Sequence, residues 1–254
     1  MTALRVTSMW RHPVKSMQGE ELDVAHVNDT GLDGDRAWAV IDTATGIALT
    51  GRREPRLLLA GAKLGPDGDP EVTLPDGTSC AGTGRDTDAA LSGWLGRDVT
   101  LAAADRLPST RAEAFADATD DSSPVMSWAM PAGRFVDLFP LLIITTASLR
   151  AGARSHPNGR WEIRRFRPNL VIEAPGDDWY EDAWVGTEVS VGTVRLAATR
   201  RASRCTMVTR PQPGIERDLD IYRTLAAVHH ADFGVWAIVA TPGTVRIGDG
   251  VSVD

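Results

Sequence analysis

Along the first hundred residues, short apolar blocks alternate with turn-forming residues. Blocks at 4–10, 36–42 and 57–64 predict strands: the first alternates loosely, the second is rich in Trp, Val and Ile, and the third is an apolar run. Gly31, Gly34, Gly46, Gly51 and the cluster Gly65-Pro66-Asp67-Gly68-Asp69-Pro70 separate them, as in an antiparallel barrel or sandwich. Leu91, Trp94 and Leu95 share one face of a short helix over 88–95. The stretch 113–124 is polar, acidic and Ser-rich, and reads as a mobile loop or linker.

In the second half, strands are predicted over 141–146, 169–173, 188–191, 194–199, 234–241 and 245–247. Helical spacing covers 147–155, ended by His156-Pro157-Asn158-Gly159, and 219–228 through Leu219, Tyr222 and Leu225. Pro211 and Pro213 break the chain before the second of these helices. The predicted class is mainly β with a few short peripheral helices. At 254 residues, the length suits two moderate domains or one large all-β domain.

Composition narrows the setting. Apolar runs such as Leu141 to Ile144 are only strand length, so no membrane span is expected. Residues 1–6 lack the charged start, apolar centre and cleavage site of a secretory signal. Two cysteines, Cys80 and Cys205, cannot build a disulfide framework or a zinc site, and the expected compartment is the reducing cytoplasm. A net charge of −7 argues against nucleic-acid binding. The charge is uneven, since residues 164–210 hold eight arginines against six acids. Lysine occurs only at Lys15 and Lys63, so arginine is abundant everywhere and only its position is informative.

Several chemistries are excluded by motif. No glycine-rich nucleotide loop, serine-nucleophile elbow or HExxH pair is present, and the five histidines are scattered. The adjacent acids Asp177-Asp178 and Glu181-Asp182 fit solvated turns. The most informative segment is Arg200-Arg201-Ala202-Ser203-Arg204-Cys205, at the end of a predicted strand. Nearby cations favour the thiolate, the reactive and metal-binding form of cysteine, and soft sulfur suits a thiophilic metal. Taken alone, Cys205 also fits a plain buried cysteine. Cys80, without nearby cations, reads as structural. Further donor-rich spots lie at Arg164-Arg165-Phe166-Arg167-Pro168-Asn169, Pro13-Val14-Lys15-Ser16 and Gly34-Asp35-Arg36. Four such spots near strand ends, in an acidic chain, look like a cradle for a small polyanion.

The order of these segments is recognisable. Pro13-Val14-Lys15-Ser16, Gly31 to Trp38 (GLDGDRAW) and Glu54-Pro55-Arg56 resemble the N-terminal β-barrel domain that precedes a MOSC domain. Pro140-Leu141-Leu142-Ile143, Ala147-Ser148-Leu149, Phe166-Arg167-Pro168-Asn169, Ser203-Arg204-Cys205 and Pro242 to Asp249 resemble the MOSC domain itself. By pattern, the chain is similar to the mitochondrial amidoxime-reducing component family and its bacterial counterparts. The resemblance implies an N-terminal β-barrel-like domain at 1–115 and a MOSC β-barrel domain at 116–254.

It also implies a molybdenum cofactor of the molybdopterin type, with Cys205 as the protein ligand to the metal. Lys15, Ser16, Arg36, Arg167, Asn169, Ser203 and Arg204 match positions lining the pterin and its phosphate. The implied activity is reduction of small N-oxygenated molecules, such as N-hydroxylated bases and amidoximes. No cysteine set for an iron–sulfur cluster is present, so electrons are expected from a separate protein. Asp182 is a candidate for proton delivery, though it also fits a surface turn. The alternative is a carrier of cofactor or sulfur in cofactor maturation, with Cys205 holding the metal or a persulfide without turnover. Family descriptions extend to pyridoxal phosphate binding, but no pyridoxal-phosphate desulfurase domain is evident here. After the cysteine, such reductases usually continue Thr-Thr-Val-Asp-Pro. Thr206-Met207-Val208-Thr209-Arg210-Pro211 stands here instead, with Arg210 near the acidic position.

Overall fold

The computed structural model describes residues 4–107, 110–117 and 119–254. Residues 1–3, at the start of the expected leaderless N-terminus, and residue 118, in the expected linker, lie outside the described residues. The fold is mainly β, and its helices are short. Among the described residues, no helix is long and apolar enough to cross a membrane.

The largest sheet has eight strands, in the order Val251–Val253, Glu188–Val191, Val194–Ser203, Asp232–Thr241, Leu141–Thr145, Leu170–Glu173, Arg5–Arg11 and Glu20–Glu21. Every residue of Leu141–Thr145, near its middle, is buried. Leu141 and Ile143 pack into one apolar cluster, Leu142 and Ile144 into another. Burial on both faces is why this strand reads as an unbroken apolar run. Helix Thr146–Ser155 then begins the return to the parallel neighbour Leu170–Glu173. Its N-cap is Thr145, whose hydroxyl accepts from the Ser148 amide at 3.1 Å.

Gly234, in the strand Asp232–Thr241, has φ +83, and an added Cβ would lie 2.6 Å from the Ile143 carbonyl oxygen. Gly234→Ala is expected to lower the unfolding free energy by about 1–3 kcal/mol. Denaturant unfolding reads this directly, and an unchanged midpoint would refute the close approach.

The opening strand does not stay with its own half. Arg5–Arg11 pairs antiparallel with Leu170–Glu173, and Gly243–Arg246 pairs with Val24–Asn28. The two halves are thus stitched together at both ends of the chain. A division at 115/116 falls inside a hairpin, because Arg111–Phe115 pairs with Val125–Ala129. That hairpin belongs to a five-stranded sheet with Val99–Ala103, Trp38–Asp42 and Ile47–Ala48. The expected linker at 113–124 is therefore corrected: it starts in a strand and forms the hairpin's connection. The expected strand at 57–64 is also shorter. Pro55–Leu59 is a 3-10 turn, and only Gly61–Leu64 is extended.

Topology then decides where the functional groups meet. Register pairs Met9 with Leu170, Ile143 with both Leu170 and Val235, and Ser203 with Asp232. One end of the sheet accordingly gathers the close of Arg5–Arg11 with the starts of Leu141–Thr145 and Leu170–Glu173, while the close of Val194–Ser203 lies beside the start of Asp232–Thr241. The segments containing Lys15, Arg167 and Asn169 emerge at that end, and the segment that follows Val194–Ser203 brings Cys205 to them.

Candidate functional site

A cavity of about 260 Å³ opens at this end of the sheet. Lys15, Ser16, Arg36, Arg167, Asn169, Ser203, Arg204 and Cys205 all line it. The eight arrive from four separate stretches of chain. Asn169 anchors the floor: its Oδ1 accepts from the Leu142 amide at 3.1 Å and its Nδ2 donates to the Trp10 carbonyl at 3.3 Å. Arg36 donates to the Arg167 carbonyl at 3.1 Å and pairs with Asp35, which is fully buried. Arg204 donates to the Phe166 carbonyl at 2.7 Å, and Arg167 donates to the Met17 carbonyl.

Two further residues complete the wall. Arg52 donates through Nε to the Cys205 sulfur at 3.2 Å. Its other end pairs with Asp137, whose second oxygen accepts from Lys15 Nζ at 2.7 Å. Neither Arg52 nor Asp137 was among the expected site residues. Arg52 sits in Gly51-Arg52-Arg53-Glu54, which looks like a charged surface loop. Asp137 carried the better signal, as a lone acid inside Phe135-Val136-Asp137-Leu138-Phe139.

The backbone at the site is unusual. Ser16, Arg36 and Arg167 have φ of +68, +50 and +54, in the region that side-chain-bearing residues rarely adopt. Such conformations persist only where surrounding structure imposes them, and they gather at ligand sites. Ser16 is held there by accepting from the Gly51 amide at 2.9 Å.

Electrostatics point one way. Lys15, Arg36, Arg52, Arg167 and Arg204 line the cavity, against the single carboxylate of Asp137. Burial pushes Arg167 down to about 9, helped by repulsion from Arg36. Burial also pushes Arg204 down to about 10. Both stay protonated at neutral pH. Burial opposes ionisation of Asp137, but Lys15 and Arg52 hold it well below the ordinary carboxylate range. Burial likewise opposes a Cys205 thiolate, and the charge and hydrogen bond of Arg52 outweigh it, so the thiol lies below its ordinary value. Arg167 Nη2 and Arg204 Nε are buried with no partner among the described residues. An anion in the cavity would satisfy both donors and balance the excess positive charge.

Some expectations are corrected. Arg200 and Arg201 lie within the strand Val194–Ser203 rather than beyond it. Arg200 covers the Trp236 ring at 5.7 Å, and Arg201 pairs with Asp182 and Asp232, so Arg52 supplies the charge at Cys205 instead. Asp182 does not line the cavity. Its Oδ2 lies 2.8 Å from His229 Nε2, while His229 Nδ1 lies 2.9 Å from the Asp232 carbonyl. Trp179 stacks on the same imidazole at 4.1 Å. A candidate proton donor is thus engaged elsewhere. Glu181, expected in a solvated turn, is buried and accepts from the hydroxyls of Thr145 and Ser148.

Both nitrogens of His229 face acceptors, which favours the imidazolium. Burial works against the charge, but Asp182 and the Asp232 carbonyl outweigh it and raise the pKa above 6.5. The stability this pair contributes is full below 6.5 and falls as pH rises through the raised value. Unfolding of wild type and His229→Gln across that range should show the pH slope in the wild type only. Equal slopes would refute the assignment.

Arg210, at the departure from the family pattern, is nearly buried and turns away from the cavity. It pairs with Asp121 in the hairpin connection and donates to the Arg52 carbonyl at 3.2 Å. It therefore tethers both the hairpin and the loop that positions Arg52.

The MOSC N-terminal beta barrel domain matches residues 3–108, and the MOSC domain matches residues 132–252. The chain is a MOSC protein. This MOSC protein is 29% identical to Mitochondrial amidoxime-reducing component 1 of Homo sapiens, over 97% of the chain and 82% of that protein. It is 25% identical to Molybdenum cofactor sulfurase of Solanum lycopersicum, over 89% of the chain but 32% of the sulfurase. Among solved structures, the YUAD protein from Bacillus subtilis is similar at TM-score 0.49 and 11% identity, covering 99% of this chain and 96% of that one.

Proposed function

We propose that this MOSC protein binds a molybdenum–pterin cofactor in the cationic cavity and reduces small N-oxygenated molecules. The observation carrying the proposal is the Arg52–Cys205 contact at 3.2 Å, at a cavity lined by five cations and one carboxylate. Among the described residues, no cluster of three or more His, Cys, Asp or Glu is placed to hold a metal ion. A metal at Cys205 therefore fits only if most of its ligands come with it, as a dithiolene-bearing scaffold provides. The anionic tail of that scaffold fits the unpartnered donors of Arg167 and Arg204.

Each residue then has a definite task. Cys205 offers its thiolate as the protein ligand, and Arg52 keeps it ionised. Lys15, Arg36, Arg167 and Arg204 balance the ligand's negative charge. Ser16, Asn169 and Ser203 provide uncharged polar lining. When bound, the group supplies a two-electron redox centre. In the overall reaction the N–O bond breaks, and the oxygen leaves as water. Two electrons and two protons are consumed, the electrons coming from a separate redox protein.

The match to the sulfurases favours a competing role, in which Cys205 carries cofactor or a persulfide without turnover. Protein from a molybdenum-replete host is expected to hold close to one molybdenum per chain. It should also convert an N-hydroxylated base to the base with electrons from a reduced dye. Bound metal without turnover would favour the cofactor carrier, and absence of metal would overturn both the reductase and the cofactor carrier, leaving only the persulfide role.

A further inference from the structure

Cys205 borders a second cavity, on the side away from the cationic cradle. This groove of about 500 Å³ shares Arg52, Asp137, Leu138 and Cys205 with the first, and apart from Thr206 and Ala116 its remaining wall is the hairpin Arg111–Phe115/Val125–Ala129. Phe115, Met126 and Trp128 give that wall an apolar character. Met126 and Leu138 stand at the surface with 53% and 57% of their area exposed. Large apolar side chains left in water beside a reactive thiol mark a binding surface.

The wall is built to stay in place. Arg52 lies 5.0 Å from the centre of the Trp128 ring, so the same guanidinium that contacts Cys205 also fixes the indole. Arg53 covers Phe115 at 4.6 Å. Thr50 donates to the Glu113 carbonyl at 2.7 Å, and Arg210 clamps Asp121 in the hairpin connection. The polar end of the groove is Arg52, Asp137 and Cys205, and the other end is aromatic and thioether.

We infer that this groove binds the flat apolar body of the substrate, so that Trp128, Met126 and Phe115 select aromatic over small aliphatic N-oxygenated compounds. The inference rests on the proposed reductase activity for the placement of the N–O head beside Cys205. Continuity with the cationic cavity carries it: Arg52, Asp137, Leu138 and Cys205 border both, so with an anionic cofactor filling the first cavity a head group at Arg52 and Asp137 lays its substituent against the hairpin. Trp128 offers a rigid ring face and edge, while Met126 adapts its shape to the bound ring. The hairpin connection lies in the polar stretch that follows Phe115, so this selectivity is set by residues outside both matched domain segments, 3–108 and 132–252.

The test compares benzamidoxime with acetamidoxime, which share the head group and differ as phenyl against methyl. Calorimetry on the purified protein measures affinity without turnover, and steady-state kinetics give KM for each. Wild type is expected to bind benzamidoxime at least about 10-fold tighter, the upper range of one aromatic contact. Trp128→Ala and Met126→Ser should narrow that ratio toward one and leave acetamidoxime binding unchanged. Met126 is exposed, so its variant keeps the fold and serves if Trp128→Ala unfolds. An unaltered ratio in the folded variants overturns the inference while leaving the reductase activity intact. If neither compound is turned over, the reductase proposal fails, and the affinity ratios still decide whether the groove selects aromatic ligands.

Discussion

Cys205→Ala is expected to abolish reduction of N-hydroxylated compounds, by more than about 100-fold, while the protein stays folded. Disturbing the outer partners of a metal ligand already costs about 10- to 100-fold, so loss of the ligand itself should exceed that range. Stability should hardly change, because the side chain is partly exposed and its polar contact is with Arg52. Metal content should fall less than activity, since the five cations of the cavity remain to hold an anionic scaffold. Cys80→Ala is the control: it sits opposite Val72 on a small three-stranded sheet and should leave turnover intact. Thermal melting, elemental analysis and turnover with a reduced dye separate these effects. Full turnover in Cys205→Ala would remove the thiolate from the mechanism.

Local pattern foretold what local pattern can govern. Leu141–Thr145 was legible because burial on both faces demands an unbroken apolar run. The helices at Thr146–Ser155 and Leu219–His229 were legible from their one-sided spacing. The hairpin was not, for an equally local reason. Val125–Ala129 is largely exposed, so no alternation of burial marks it as a strand. In Pro55–Leu59, Leu57 and Leu58 are buried within a tight turn, and an apolar run looks the same in either conformation. Pairing of Arg5–Arg11 with Leu170–Glu173 joins residues more than 160 positions apart, and nothing within either segment announces it.

The candidate site divides along the same line. Lys15, Ser16, Arg36, Arg167, Asn169, Ser203, Arg204 and Cys205 could be chosen because they stand in short motifs with a recognisable order. Arg52 is one of 25 arginines and stands in no such motif, and its importance arises only when its loop folds over Cys205. Neighbours in sequence misled in the opposite sense. Arg200 and Arg201 are closer to Cys205 along the chain than Arg52 is, yet strand geometry sends them to Trp236 and to Asp182 with Asp232. Asp182 was drawn toward the chemistry by its acidity, but His229 and Arg201 engage it away from the cavity.

Arg167→Met should separate folding from ligand binding with opposite signs. In the ligand-free chain, Arg167 is a cost. It is buried, repelled by Arg36 and partnerless at Nη2, and its pKa is pushed down to about 9. A base whose folded pKa lies below its unfolded value destabilises the fold wherever it is charged, so the cost is full at neutral pH and fades as pH climbs past 9. Methionine fills similar space without charge. It forfeits the bond to the Met17 carbonyl, worth about 1 kcal/mol, and relieves an uncompensated buried charge that costs more. Ligand-free Arg167→Met should therefore melt at or above the wild-type temperature. Pyrophosphate, the probe for the anionic tail, should stabilise wild type by about 2.7 kcal/mol at a hundred times its Kd, or roughly 5–10 °C for a chain of this size. The variant should lose most of that gain. If it melts well below wild type, or if pyrophosphate protects both equally, the cavity is not tuned for an anion and its cations are held for some other reason.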